Sequence, residues 1–286
     1  MMCNPANPKA NGVIDIWQET LPVRFGAIDR SDKLTLGAMF QFFQEAAISH
    51  AENLGVGREE MTRTGQAWIL SRMSVLAERR PEYCETITVR SWPKGSEKLF
   101  AIRNYDIRDK ENIPVVSARS AWLIVDMEKR RPLRPQSVID MIPLNEGQDI
   151  FLPEMQDAES KEQKTQSLTS LAERNNLQKV MERKALYTDI DYNGHVNNVR
   201  YIQWIEDALE PHLLENAGKI RFDINYLNEI LAGESVEILS ASVEDNSGGA
   251  PCKVYAFEGR KIETGQTAFR AEIRLSPRVA NEAKMC

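Results

Sequence analysis

The chain has 286 residues, 42% of them hydrophobic and 27% charged, with a formal charge of −6. That balance supports a folded core of one large or two medium domains and excludes collagen-like and wholly disordered chains. The negative charge gives no support to nucleic-acid binding, and runs such as Ala121–Val125 fall far short of the roughly 20 apolar residues that cross a bilayer.

Residues 1–12 read as a flexible tail, without the apolar h-region of a secretory signal or the Arg- and Ser-rich composition of a transit peptide. A cytoplasmic location is the expectation. A strand is predicted around Ile14 to Phe25, then a helix over Gly37–Asn53. Leu36, Met39, Phe40, Phe43, Ala46 and Ala47 occupy most of that helix's circumference. A helix apolar nearly all round is buried, not surface-lying. Strand-like segments follow at Trp68–Ala77, Glu85–Trp92, Leu99–Arg108 and Val115–Val125, separated by turn signals such as Pro-Lys-Gly. The front domain is taken to run from 13 to 150. Residues 156–166 carry one Ala and no other apolar side chain, and Ser167–Lys184 is helix-compatible but weakly patterned. The stretch 151–180 therefore reads as a linker. A back domain over 181–280 holds strands at Ile220–Leu227, Ser235–Val243, Lys253–Glu258 and Thr267–Leu275.

The back domain repeats the front. An offset of 162 lays Gln41-Phe42-Phe43-Gln44-Glu45-Ala46 on Gln203-Trp204-Ile205-Glu206-Asp207-Ala208 without a gap, and Ile28-Asp29 on Ile190-Asp191. Beyond the helix the offset reads as 151, with Glu78 on Glu229. One buried helix followed by antiparallel strands, twice, is an α+β pattern rather than βαβ. A sheet wrapped around each helix makes this a tandem, or double, hotdog.

The densest polar cluster, Asp189-Ile-Asp191-Tyr-Asn193-Gly-His195-Val-Asn197-Asn198, precedes the second helix. It opens like a calcium loop, but position 12 is Arg200 where a bidentate Glu belongs. His195 also has no second histidine at i+4 for a zinc helix. The four cysteines, Cys3, Cys84, Cys252 and Cys286, show no C-x-x-C spacing, which argues against a disulfide framework or zinc site. No metal and no cofactor is expected. The two copies differ where chemistry would be carried. Asp29 and Asp191 are shared, whereas Ser31 and Lys33 stand where the back copy has Asn193 and His195. Either the chemistry resides in the back copy alone, or Asn193-Gly194 is a tight turn and His195 a helix cap.

The pattern D-x-N-x-H-V-N-N-x-x-Y-x-x-W, present from Asp191 to Trp204, resembles the signature of plant and bacterial acyl-ACP thioesterases. Ala67–Met73, Glu78-Arg79 and Ser120-Ala121-Trp122 resemble that family's N-terminal half, so the likeness runs in order over roughly 14 to 275. The resemblance implies hydrolysis of the thioester between a fatty acyl chain and acyl carrier protein, with Asp191, Asn193, His195 and Glu229 as catalytic residues. The chain departs from plant members at Ile230, where they carry Cys, which excludes a cysteine nucleophile there and leaves water. Glu229, or Asp191 acting with it, is the expected general base, with Asn193 and His195 orienting water or substrate. Backbone N–H groups of Val196 to Asn198 are the expected oxyanion donors.

The acyl chain is expected in the front domain against Met39, Phe43, Trp68 and Ile69, each of which reads equally as plain core. His50 and His212 read as surface residues and Trp204 as core. Lys129-Arg130-Arg131 with Arg134, joined by Arg79-Arg80, is a basic cluster suited to an acidic carrier protein or to a solvated turn. An acyl-CoA thioesterase of the same fold and a non-catalytic acyl-binding protein stay as alternatives. A homodimer is left open, and neither nucleic acid nor membrane insertion is expected.

Overall fold

In the computed structural model, which describes residues 13–145, 147–150, 167–168, 177–243 and 252–277, a single antiparallel sheet of eleven strands runs through both halves of the chain. The front half contributes β1 (Trp17–Pro22), β2 (Gln66–Ala77), β3 (Thr86–Glu97), β4 (Phe100–Arg108), β5 (Pro114–Asp126) and the short β6 (Arg131–Leu133). Its helices are α1 (Leu36–Asn53), α2 (Arg58–Arg63) and α3 (Gln136–Ile139). The back half contributes β7 (Gln178–Lys184), β8 (Ala217–Tyr226), β9 (Ser235–Val243), β10 (Lys253–Lys261) and β11 (Thr267–Pro277), with α4 (Asn198–Ala208) and α5 (Pro211–Glu215). Across the sheet the order is β1-β3-β4-β5-β2 and then β8-β11-β10-β9-β7. The halves share one topology met from opposite ends. This is a double hotdog, joined where β2 pairs with β8 from Arg72 opposite Asn225 to Ala77 opposite Ile220.

The apolar girdle of α1 forces it inside. Met39, Phe40 and Phe43 are all buried, in one cluster with Val89, Ile107 and Ala118 of the front strands. The Phe43 ring lies 5.1 Å from that of Tyr105 in the front sheet, and Phe40 meets Phe222 of β8 edge-on at 5.6 Å. Such ring pairs add about 0.5–1.5 kcal/mol beyond their area, and here they tie α1 to both halves. The second helix, α4, buries Tyr201, Ile202, Trp204 and Ile205 in the same cluster.

Two expectations give way. Residues 178–184 form strand β7, not helix. Gln-Lys-Val-Met-Glu-Arg-Lys lacks an apolar stripe at helical spacing, and its backbone pairs antiparallel with β9 around a bulge at Lys179/Met181. The back hotdog's first strand thus begins at Gln178, ahead of the expected 181. Most of the expected linker, and the tail at 1–12, lie outside the described residues. His50, expected at the surface, is fully buried in the last turns of α1. Its Nε2 donates to Ile14 O at 2.7 Å, leaving Nδ1 to accept from Arg103 Nη1 at 3.1 Å. Burial, and then the charge of Arg103, lowers its pKa to about 4, so the ring is neutral.

The two helices also meet end to flank. Glu206 of α4 accepts from the N–H of Leu36 at 2.7 Å and of Gly37 at 3.0 Å, so the back half caps the front helix. Glycine at 37 permits the approach, because a Cβ there would stand 2.9 Å from Gln203 Cγ and 3.1 Å from Glu206 Oε2. Burial pushes the Glu206 carboxyl up to about 7, against the lowering pull of the two N–H bonds. The folded state therefore keeps a proton that the unfolded chain loses. Its contribution to stability falls as pH rises from about 4.5 to about 7. In thermal melts, any advantage of wild type over Glu206→Gln should shrink as pH is raised through that window. A gap that stays constant would show the carboxyl ionised throughout.

Candidate active site

The turn before α4 is braced by its own first residue. Asp191 Oδ1 accepts from the N–H of Asn193 at 2.8 Å and of His195 at 3.4 Å, while Asp191 N–H donates to His195 O at 2.8 Å. Gly194 turns the chain at a φ of +84°, where a side chain would be strained. Val196 N–H then bonds Ile230 O at 2.8 Å, and His195 bridges to Leu231. These bonds hold the loop after β8 beside the turn and set Glu229 against the imidazole, with His195 Nε2 and Glu229 Oε2 at 3.1 Å. The two side chains are 39% and 57% exposed, so water reaches both. Asn193 is exposed, and its amide has no partner among the described residues. All four predicted site residues lie in this turn or against it.

The calcium reading meets a physical obstacle as well. Arg200 donates to Thr188 O at 2.8 Å and its Nε lies 3.6 Å from Asp189, so a cation stands among the would-be ligands. Among the described residues no group of three His, Cys, Asp or Glu side chains is arranged to hold a metal.

The front copy builds the same turn with different chemistry. Asp29 Oδ1 accepts from Ser31 N–H at 2.8 Å and Lys33 N–H at 3.3 Å, and Leu34 N–H bonds Pro81 O at 2.8 Å. Leu34 matches Val196, so Pro81 matches Ile230 and the offset beyond the helix is 149, not 151. Glu229 therefore corresponds to Arg80, not to Glu78. Backbone pairing sets the register, and identical letters two places away had suggested the wrong one. Arg80 is buried and donates to Asp29 Oδ2 at 2.5 Å and to Leu214 O of α5 at 2.9 Å. Burial pushes the Asp29 carboxyl up, but hydrogen bonds from Ser31 and Arg80 bring it below the usual carboxylate range. The back turn presents a wet His–Glu pair where the front one locks in an Arg–Asp pair. No side chain among the described residues takes Asp191 Oδ2.

The expected oxyanion donors are reduced to one. Val196 N–H is taken by Ile230 O, and Asn197 N–H by Asp189 O at 2.8 Å. The Asn197 side chain caps Val199 N–H at 2.9 Å. Asn198 N–H finds no acceptor among the described residues, at the helix end where the aligned peptide dipoles favour negative charge. Asn198 lines a cavity of about 10 Å³, bounded also by Phe40 and Gln44 of α1 and by Leu70, Met73 and Trp122 of the front sheet. That is the room of a single water.

None of the four expected wall residues lines this cavity. Met39 and Phe43 are fully buried in the core, Trp68 packs beside Val56 with its Nε1 on that residue's carbonyl at 2.9 Å, and Ile69 is 45% exposed. A helix apolar on every side carries no sign of which face lines a cavity. Arg79 and Arg80 also leave the basic cluster, since Arg79 pairs with Glu85 at 2.6 Å and Arg80 is buried.

Residues 15–141 match the acyl-ACP thioesterase N-terminal domain and residues 172–273 the acyl-ACP thioesterase C-terminal domain. The chain is 26% identical to the chloroplastic palmitoyl-acyl carrier protein thioesterase of Cuphea hookeriana, over 89% of this chain and 62% of that one. It is 23% identical to the chloroplastic dodecanoyl-[acyl-carrier-protein] hydrolase of Cinnamomum camphora, over 93% of this chain and 69% of the other. Among solved structures, an acyl-ACP thioesterase from Bacteroides thetaiotaomicron superposes with a TM-score of 0.73 at 25% identity, covering 91% of this chain and 97% of that one. The 12:0-ACP thioesterase of Umbellularia californica shares the fold, with a TM-score of 0.72 at 20% identity over 92% and 98% of the two chains. The chain spans about 62% of the length of the first of these curated relatives. Both curated relatives are chloroplastic and lend no support to the expected cytoplasmic location. No described helix is long and apolar enough to cross a membrane. Matched by both family models in chain order over most of its length, the chain belongs to the acyl-ACP thioesterase family.

Proposed function

We propose that this chain hydrolyses fatty acyl thioesters of acyl carrier protein and that the back hotdog carries the reaction. The observation behind this reading is the water-accessible His195–Glu229 pair at 3.1 Å, set against the Asp191 turn. Glu229 is the general base, standing exposed beside the imidazole while Asp191 braces the turn through two backbone N–H groups. A carboxylate within hydrogen-bond reach of water can take its proton as the oxygen attacks the acyl carbon. The oxyanion rests on Asn198 N–H. The C–S bond then breaks with its electron pair on sulfur, and the proton held by Glu229 passes to the thiolate. His195 orients Glu229 and the water, and the free Asn193 amide meets the thioester arm. Ile230 is fully buried and its carbonyl braces Val196, so the position after Glu229 is structural here. The acyl chain enters as Leu70, Met73 and Trp122 move apart, a role for which the unbranched Met is suited.

The carrier is expected at the turn of Lys129, Arg130 and Arg131 with Arg134. Arg58, at one end of α2, stacks over the Tyr192 ring of the site turn at 3.9 Å, while Gly65, just past the other end, accepts Met127 N–H at 2.9 Å. The basic turn and the site are thus linked through one short helix.

His195→Ala or Glu229→Gln should lower kcat for acyl-ACP by roughly 10²-fold or more, while Ser31→Ala and Lys33→Ala leave it nearly unchanged. Equal losses in both copies would mean that the turn is structural. Released fatty acid is the readout, and the doubly substituted Cys84→Ser, Cys252→Ser protein should release it at the wild-type rate. Arg130→Glu with Arg131→Glu should raise KM for acyl-ACP at low salt and spare a small pantetheine thioester, with the difference fading as salt is raised. An unchanged KM would favour a coenzyme A carrier.

A further inference from the structure

We infer that Gln44, on the front hotdog's helix, is a catalytic residue of the back hotdog's reaction, its amide N–H joining Asn198 N–H on the thioester oxygen. The inference rests on the proposed hydrolysis and assigns one more group to that site. It comes from laying one helix on the other. With the offset of 162, Gln44 corresponds to Glu206, and Asn198 and Val199 correspond to Leu36 and Gly37. In one direction across the seam the arrangement is complete, with Glu206 placing its two oxygens on the N–H groups of Leu36 and Gly37. In the other direction an amide stands where that carboxylate does. Gln44 has no hydrogen-bond partner among the described residues, and it lines the cavity onto which Asn198 opens.

The difference has local causes. Thr35 caps α1 by reaching Ala38 N–H at 3.1 Å, which leaves the first two N–H groups of the helix for Glu206. Asn197 caps α4 one residue earlier, at Val199 N–H, and leaves Asn198 N–H alone. Phe222 packs edge-on against Phe40, whereas the residue matched to Phe222 by the offset of 149 is the slimmer Met73, which borders the cavity. A carboxylate at 44 would sit on Asn198 N–H and close the gap. An amide supplies hydrogen-bond donors instead, so two donors from different hotdogs converge on one oxygen. The Glu206 cap is then the internal counterpart of a bound ligand, its carboxylate oxygens lying where the acyl oxygen lies in the working copy.

The test compares Gln44→Met, similar in length but without a donor, with Gln44→Glu, using acyl-ACP turnover, thermal melts and calorimetric binding of a free fatty acid. Gln44→Met should lose roughly 10- to 10²-fold in kcat with KM changed by much less and an unaltered Tm. Gln44→Glu should lose at least as much kcat, gain Tm as a new helix cap, and bind the fatty carboxylate more weakly than wild type. A Gln44→Met enzyme with kcat within twofold of wild type, or with a loss confined to KM, would overturn the inference and make Gln44 part of the acyl wall. If wild type hydrolyses no acyl thioester, the functional proposal fails by itself. The catalytic role of Gln44 falls with it, and fatty carboxylate binding then decides only whether its amide donates to an acyl oxygen, weakened binding in Gln44→Met supporting that contact and unchanged binding overturning it.

Discussion

The start of a buried helix leaves backbone N–H groups that some acceptor has to take. Here the seam between the hotdogs sets two such starts against each other's flank. The pairing of β2 with β8 fixes that arrangement, and it is held from behind by Asp223 of β8, which accepts from Ser74 of β2 and from Arg221. At the start of α1 the requirement is met from within the protein by Glu206. At the start of α4 one N–H group remains open beside a cavity and three residues beyond His195. A helix end that must find an acceptor, and has none of its own, is a natural place to hold an oxyanion.

Duplication makes the chemistry legible as a set of exchanges on an unchanged frame. The backbone bonds of the two turns correspond one for one, from Asp29 N–H on Lys33 O and Asp191 N–H on His195 O to the links with Pro81 and Ile230. On that frame Ser31 corresponds to Asn193, Lys33 to His195 and Arg80 to Glu229. In the front copy, the buried Arg80 closes on Asp29 and on the end of α5. Removing one member of such a pair leaves an uncompensated buried charge, which makes it costly to lose. At the matched positions the back copy has no such buried pair, and its His195 and Glu229 are open to water. One copy holds structure and the other is free for reaction, with no change of fold between them.

Much of this was present in the residue order. The all-round apolar girdle of Leu36 to Ala47 dictated a buried helix, because nothing but enclosure satisfies such a surface. The run from Asp191 to His195 dictated its own turn through bonds that reach two and four residues along the chain, with glycine where φ turns positive. Ile230 excluded a cysteine nucleophile without any coordinates. What the residue order left undecided spans longer distances. The 149-residue offset that sets Arg80 against Glu229 comes from strand and loop pairing. The burial of His50 depends on Ile14 and Arg103, 36 and 53 residues away. The face of α1 that carries Gln44 to the cavity depends on where α4 crosses it. Periodicity and short-range hydrogen bonds are properties of neighbours in sequence, so the sequence alone determines buried helices, strands and turns. Register, enclosure and the meeting of two helix ends are properties of segments brought together by folding, and the tertiary structure alone decides them.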